Sequence, residues 1–304
     1  MTKRKFLITV VGPTAIGKTA LAIKLAQAYH TEIISSDSRQ FFKEMEIGTA
    51  VPSKEELTAA MHHFIQHKSI IENYSVGDFE KEALSTLNTL FKKHDVIIMA
   101  GGSGLYVKAI LEGLDDFPDV DEAIRIRLNE ELNTNGMYSL QQQLKTLDPV
   151  YFENADIENP HRIIRALEIC ISTGKPFSSF LKQKSVKRNF IPIQIGLTAD
   201  RQIIYDRINL RVDLMMQNGL LEEAQKLYSH KELNALQTVG YKELFNHFDG
   251  DWTLDFAVSE IKKNTRRFAK RQLTWFRKDQ SIKWFDFKTQ FTEIEAFCNT
   301  FINV

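Results

Sequence analysis

The residues Gly12-Pro13-Thr14-Ala15-Ile16-Gly17-Lys18-Thr19 have the spacing G-x-x-x-x-G-K-[ST]. Glycines in such a loop let the backbone curl until its N–H groups point at phosphate oxygens, and the helix that follows adds its positive end. Lys18 supplies a mobile cation and the Thr19 hydroxyl can ligand Mg²⁺. The type is that of nucleotide-binding, ATP-binding loops, and its required context is present: an apolar run, Phe6–Val11, before it and a helical pattern, Lys18–Tyr29, after it. The loop specifies a phosphate-bearing ligand and leaves open what is done to it. Hydrolytic relatives carry an aspartate at the end of a later strand to help hold Mg²⁺. Here the obvious candidate, Asp95–Ala100, runs into Gly101-Gly102-Ser103-Gly104 with no carboxylate at its end. That favours an enzyme that binds a phosphorylated small molecule and transfers part of it.

Two further strand ends carry polar groups. The second apolar run, Glu32–Ser35, is followed by Ser36-Asp37-Ser38-Arg39-Gln40, and the third, Val96–Ala100, by the glycine turn with Ser103. In a parallel sheet ligands bind beyond the carboxyl ends of the strands, so Asp37 and Ser103 are expected to converge with Lys18. Asp37 could be a base, a hydrogen-bond acceptor or a partner of the metal. It could equally be a helix N-cap, and the glycine segment a plain strand-to-helix turn. The segment Lys262–Lys278 holds eight cations in 17 residues and no acid. Lys263, Arg266 and Lys270 are spaced to share one helical face, leaving Phe268, Leu273, Trp275 and Phe276 for the core. Clustered charge of this kind marks a polyanion partner or a solvated face. Arg162 with Arg165, and Arg207 with Arg211, form pairs at helical spacing that could grip phosphates or be ion-paired, with Glu168 or Asp213 as partners.

These groups need a scaffold. Apolar runs alternating with helical stretches (Lys18–Tyr29, Phe79–Lys93) predict an α/β fold with a parallel sheet and helices on both faces. A fourth run, Ile191–Leu197, comes late, and the polar helical block from about Pro118 to Asn189, with helices over Glu122–Leu132, Ser139–Leu147 and Arg162–Thr173, reads as an insertion. The expected division is a core of residues 1–118 and 190–304 with a helical domain of residues 119–189. Helices are predicted from Ala199 to about Arg277, then a short strand over Ile282–Phe287. The chain has 304 residues, 39 basic and 39 acidic, which excludes a uniformly basic coat. Two distant cysteines, Cys170 and Cys298, exclude a disulfide scaffold and fit a reducing cytosol. No apolar run approaches the ~18 residues of a membrane span, and Phe6–Val11 reads as a strand, not a signal peptide. A cytoplasmic, membrane-free monomer is the expectation.

Taken together, Gly12–Thr19, Asp37-Ser38-Arg39-Gln40, Met45–Ala50, Gly101–Tyr106, Pro160–Glu168, Val239-Gly240-Tyr241-Lys242-Glu243 and Lys270-Arg271-Gln272-Leu273-Thr274-Trp275-Phe276 resemble the tRNA dimethylallyltransferases (tRNA isopentenyltransferases) over nearly the whole chain. The resemblance implies a P-loop NTPase-like core with an inserted helical domain that clamps the anticodon stem-loop. It implies transfer of the dimethylallyl group from dimethylallyl diphosphate to N6 of the adenosine 3′ of the anticodon, position 37, in tRNAs reading codons that begin with U. The phosphate loop, Gly12, Pro13, Thr14, Ala15, Ile16, Gly17, Lys18 and Thr19, would hold diphosphate in place of ATP, with Mg²⁺ on Thr19. Lys18 and a cation such as Arg207 or Arg211 would stabilise the leaving group. Asp37 would accept from the N6 amine and Ser103, where relatives usually have Thr, would assist. The resemblance and the basic helix together imply tRNA contacts at Asp37, Ser38, Arg39, Gln40, Ser103, Arg125, His161, Arg162, Ile163, Ile164, Arg165, Gln237, Thr238, Val239, Gly240, Tyr241, Lys242, Lys270 and Arg271. The target base would leave its stack. His161 departs from the polar residue often found there, and the C-terminal zinc finger of some eukaryotic relatives has no counterpart, which points to a bacterial type. Alternatives from other classes are a small-molecule kinase, a free-nucleotide prenyltransferase and a non-catalytic RNA-binding protein.

Overall fold

A computed structural model describes residues 3–181 and 186–303. The strands are β1 (Phe6–Val11), β2 (Ile33–Ser35), β3 (His62–His63), β4 (Val96–Ala100), β5 (Ile191–Thr198) and β6 (Lys283–Asp286). They form one all-parallel sheet in the order β3-β2-β4-β1-β5-β6. The edge strand β3 is a two-residue polar pair that shows no apolar run, which is why sequence pattern passes over it. The helices in chain order are α1 (Lys18–Ala28), α2 (Lys54–Ala59), α3 (Val76–Leu90), α4 (Gly104–Glu112), α5 (Glu122–Leu147), α6 (Pro149–Asn154), α7 (Pro160–Thr173), α8 (Arg201–Gln217), α9 (Leu220–Leu227), α10 (Tyr241–Phe248), α11 (Leu254–Phe276) and α12 (Phe291–Ile302). The fold is a parallel α/β sheet flanked by helices, as expected.

The chain divides into two compact units. Residues Met1–Glu112 and Lys187–Val304 form one, and Gly113–Val186 the other. In the first, β1 is buried throughout and its side chains alternate between faces. Phe6, Ile8 and Val10 pack with α1 and α12 residues such as Leu25 and Ile294. Leu7 and Val11 pack with Phe79, Leu87 and Ile110 of α3 and α4. A strand apolar on both faces is what a central parallel position requires. Helix α3 starts at Ser75, whose hydroxyl accepts from Asp78 N–H while the Asp78 carboxylate accepts from Ser75 N–H. This reciprocal cap starts the helix three residues before Phe79, the start expected from the apolar pattern. A third cluster, built around Tyr241, Leu244 and Ile261, joins α8 to α11.

The second unit packs α5, α6 and α7 on Leu128, Leu140, Leu144, Ile163 and Leu167. The two helices predicted over 122–132 and 139–147 run together as α5 with a break at Gly136, whose φ is 74°. Helix α7 has Asn159 as N-cap, Pro160 at its start and Gly174, in the left-handed region, as C-cap. Among the described residues no helix is long and apolar enough to cross a membrane.

Candidate active site

The strands β2, β4 and β1 are neighbours in a parallel sheet, so their carboxyl ends open on one edge. The phosphate loop leaves β1, Asp37 follows β2 and Ser103 follows β4. Between these turns and helices α8–α11 lies a cavity of about 730 Å³. Thr14, Asp37, Ser103 and Arg211 are among its polar lining; Val212, Met215, Leu220, Ile261 and Trp275 are among its apolar lining.

The loop's shape depends on external ties. Gly12 has φ 143°, and a Cβ there would stand 2.5 Å from the Leu197 carbonyl oxygen, so β5 admits only glycine. Ala15 is held at φ 63°, a costly value for a residue with a Cβ. Three side chains fasten the carbonyls and amides around it. Lys18 Nζ donates to the Pro13 carbonyl at 2.8 Å, Arg207 Nε to the Ala15 carbonyl at 2.7 Å, and Gln272 Oε1 accepts from Thr14 N–H at 2.9 Å. Arg211 Nη1 lies 3.5 Å from Thr14 Oγ1. Arg207 is therefore committed to the loop backbone and to the Phe287 ring, 5.2 Å from its guanidinium, while Arg211 lines the cavity. Their expected acid partner, Asp213, pairs with Lys262 instead.

Burial drives the Lys18 pKa down to about 8; Asp37 opposes that shift and Arg211 adds to it. Burial also lowers Arg211, with Arg207 contributing in the same direction and Asp37 against it. A carboxylate thus stands among half-buried cations beside an anion cradle. Asp37 Oδ1 accepts from Arg39 N–H at 3.2 Å. Ser103 Oγ accepts from Ser38 N–H at 3.0 Å and lies 3.1 Å from Ser38 Oγ. Arg39 and Gln40 turn toward the protein: Arg39 Nη1 donates to the Asn234 and Ala235 carbonyls, and Gln40 Nε2 to those of Thr49 and Ala50.

Of the segment expected to meet RNA, Gln237, Thr238, Val239, Gly240 and Lys242 line the cavity. Tyr241 does not: it is wholly buried, and its hydroxyl donates to Glu223 Oε1 at 2.6 Å. Glu223 also accepts from the backbone N–H of Glu46, Ile47 and Gly48 and so fixes the loop carrying Gly48, Thr49 and Ala50 into the cavity wall. Sequence pattern does not mark Glu223, and it includes Gln272 only in the Lys270–Phe276 segment without a role, because each acts on backbone groups that only the fold brings near.

Helix α11 presents its charge differently from the expected face. Lys263 pairs with Glu260, Arg266 Nη1 donates to Asn209 Oδ1 at 2.7 Å and Lys262 pairs with Asp213. The exposed cations of this segment are Arg267, Lys270, Arg271, Arg277 and Lys278; all but Arg277, with Thr274 and Trp275, line a second cleft. Phe268 and Trp275, expected in the core, are 38% and 41% exposed and border the main cavity; Ala269, Gln272 and Phe276 are the buried face.

In the Gly113–Val186 unit, Arg125 forks onto the buried Glu168, which Arg165 Nη1 also reaches at 3.3 Å. His161 and Arg162 are exposed on the first turn of α7. Ile163 and Ile164, expected at the RNA surface, are core residues at 1% and 5% exposure.

Mg²⁺ was expected on Thr19, which is partly exposed in the first turn of α1, and its hydroxyl makes no hydrogen bond among the described residues. No group of three or more His, Cys, Asp or Glu residues able to hold a metal occurs among them. One free hydroxyl beside a phosphate cradle fits an ion that takes most of its ligands from phosphate and water.

The profile of the IPP transferase family matches residues 40–279. The tRNA dimethylallyltransferase of Christiangramia forsetii is 67% identical over 97% of this chain and 99% of its own. That of Flavobacterium johnsoniae is 61% identical over 95% and 96%. The crystal structure of the tRNA isopentenylpyrophosphate transferase from Bacillus halodurans superposes with a TM-score of 0.71 at 37% identity, covering 99% of this chain and 96% of that one. By a family profile spanning most of its length and by these identities, the chain belongs to the IPP transferase family of tRNA dimethylallyltransferases.

Proposed function

We propose that the chain transfers the dimethylallyl group of dimethylallyl diphosphate to N6 of adenosine 37 in tRNAs that read codons beginning with U, releasing diphosphate. The observation that carries the reading is the meeting of a phosphate loop, Asp37 and Arg211 at one cavity with a long apolar wall. The apolar wall suits an allylic chain. The diphosphate takes the free loop amides, with Lys18 and Arg211 at its oxygens. Asp37 accepts a hydrogen bond from the adenine N6 amine and orients its nitrogen at the allylic C1. The N6–C1 bond forms as the C1–O bond breaks; the electron pair leaves on diphosphate and the N6 proton passes to Asp37. Thr19 would hold Mg²⁺ together with diphosphate oxygens, and the ion would supply neutralising charge to the leaving group.

The exposed cations Arg267, Lys270, Arg271 and Lys278 favour a macromolecular acceptor over a free nucleotide, and Trp275 among them offers a stacking surface for a splayed base. Arg125, His161, Arg162 and Arg165 of the helical unit would meet the anticodon stem-loop. We place the reaction in the cytoplasm, where such tRNA is found. The test is transfer of label from radiolabelled dimethylallyl diphosphate to unmodified tRNA, AMP or buffer in parallel. Label in tRNA alone is expected. Label in AMP alone would move the enzyme to free nucleotides, and label in neither would end the prenyl-transfer reading.

A further inference from the structure

Gln272 lies on the buried face of α11, 6% exposed, and reaches two separate backbone segments with one amide. Its Oε1 accepts from Thr14 N–H at 2.9 Å, and its Nε2 donates to the Gly102 carbonyl at 3.0 Å. The approach is close: a Cβ at Gly102 would stand 2.3 Å from Nε2 and 3.7 Å from Lys18 Nζ. Thr14 belongs to the phosphate loop, and Gly102 to the turn that carries Ser103. The neighbours of Gln272 on the helix, Arg271 and Trp275, line the cavity and the cationic cleft. One side chain thus ties the helix bearing the exposed cations to two of the three turns that frame the site.

We propose that Gln272 is a positioning residue for the donor diphosphate. It removes Thr14 N–H from the set of phosphate-facing amides and anchors that peptide, so the next residue, Ala15, keeps its left-handed turn and the amides from Ile16 to Thr19 keep their aim. The inference rests on the reading that this loop holds the diphosphate. Only a primary amide serves, because the site demands an acceptor toward Thr14 and a donor toward Gly102. Glutamate has the same shape but sets a second acceptor against the Gly102 carbonyl, and methionine fills the space with neither function. Either change leaves a buried backbone group without a partner.

The experiment uses the full-length protein and its Gln272→Glu, Gln272→Met and Lys18→Ala variants. Three quantities are measured: affinity for inorganic diphosphate, affinity for unmodified tRNA, and the split of KM for dimethylallyl diphosphate from kcat. Thermal melting is followed in parallel. Gln272→Glu and Gln272→Met are expected to weaken diphosphate binding and raise the donor KM about tenfold, the scale of one or two lost hydrogen bonds, with tRNA affinity and melting near wild type. An unchanged donor KM in a folded variant overturns the proposal. So does a fall in tRNA affinity and melting temperature that parallels the loss of donor binding, which would mark a merely structural residue. If Gln272→Met does not fold, the nearly isosteric Gln272→Glu decides alone. Lys18→Ala separates the two levels: diphosphate affinity that survives this change refutes the loop reading itself, whereas its loss beside normal Gln272 variants refutes only the role of Gln272.

Discussion

Ser103 Oγ is bonded to both the backbone N–H and the hydroxyl of Ser38, at 3.0 and 3.1 Å, and so joins the turns that leave β4 and β2. Asp37 sits immediately before this joint, and its carboxylate is steadied by Arg39 N–H. The position of the carboxylate therefore depends on a hydroxyl contributed by another strand. Ser103→Ala leaves Ser38 N–H without its acceptor and is expected to slow single-turnover transfer about tenfold, the kinetic equivalent of about 1.4 kcal/mol. Ser103→Thr keeps the hydroxyl and should stay within a few fold. Equal rates for the alanine and threonine variants would remove Ser103 from the arrangement.

Asp37→Ala should cost turnover far more than binding. A positioned proton acceptor contributes about 10²–10⁴-fold, and the carboxylate lies beside Lys18 and Arg211 of the site and is not among the residues of the second, cationic cleft. Single-turnover rates compared with tRNA dissociation constants check this. Affinity that falls in step with rate would assign Asp37 to RNA binding instead.

Lys18 makes the reaction sensitive to alkaline pH. Its folded pKa of about 8 lies below the ordinary value of 10.5, so the folded chain loses this proton before the unfolded chain does. Between those values the unfolded chain binds more protons, and the contribution of Lys18 to stability rises with pH. Donor capture has the opposite sign, since it requires the ammonium. The kcat/KM for dimethylallyl diphosphate should fall as pH passes upward through about 8, while the melting temperature shows no matching loss. Saturating donor should move the fall to higher pH, because a bound diphosphate restores charge favouring the protonated amine. A flat kcat/KM from pH 7 to 9.5 would contradict the assignment.

Much of this site was legible before the fold was known, and the reasons are local. The phosphate loop is contiguous, and Asp37 and Ser103 each lie within three residues of an apolar strand, so parallel pairing alone brings them together. What pattern missed depends on long-range geometry. Glu223 and Gln272 bind backbone amides distant in sequence. Phe268 and Trp275 have the composition of core residues, yet their turn on α11 faces a cavity. Ile163, Ile164 and Tyr241 occur within segments rich in polar groups but point inward, where 3.6-residue periodicity puts them. On the charged face of α11, Lys263 and Arg266 find partners, Glu260 and Asn209, that spacing within the cationic run does not reveal.

Glu168 organises the helical unit. Its side chain is 2% exposed and receives Arg125 and Arg165, which are 56% and 40% exposed. Removing the carboxylate frees both guanidiniums from a fixed orientation and opens a hole beneath α7. Water can reach both arginines, so Glu168→Ala is expected to destabilise the unit by about 1–3 kcal/mol, less than the loss for a fully buried pair. Hydrogen exchange should accelerate in α7 and leave β1 and β4 unchanged. Uniform acceleration over both units, or none in α7, would contradict this account.

The last prediction concerns the exposed lysines on α11 and just beyond its end. Lys270 and Lys278 are exposed and line the second cleft with no acidic partner among the described residues, whereas Lys263 is paired with Glu260, and Arg266 and Arg267 donate to Asn209 and Asn264. A cation already paired within the protein releases fewer counterions on meeting a phosphate than a free one. Replacing Lys270 and Lys278 by alanine should therefore weaken tRNA binding and reduce the slope of log affinity against log salt by about 1.4–1.8, or about 0.7–0.9 per contact. Lys263→Ala, taken alone, should change that slope by much less than one contact's worth. The KM for dimethylallyl diphosphate should not move in either variant, because these side chains stand outside the phosphate loop. Binding titrations of unmodified tRNA at several salt concentrations, paired with donor kinetics, decide the matter. A larger slope change for Lys263 than for Lys270 would return the RNA to the helix face inferred from spacing, and a shift in donor KM would assign the cleft to the diphosphate.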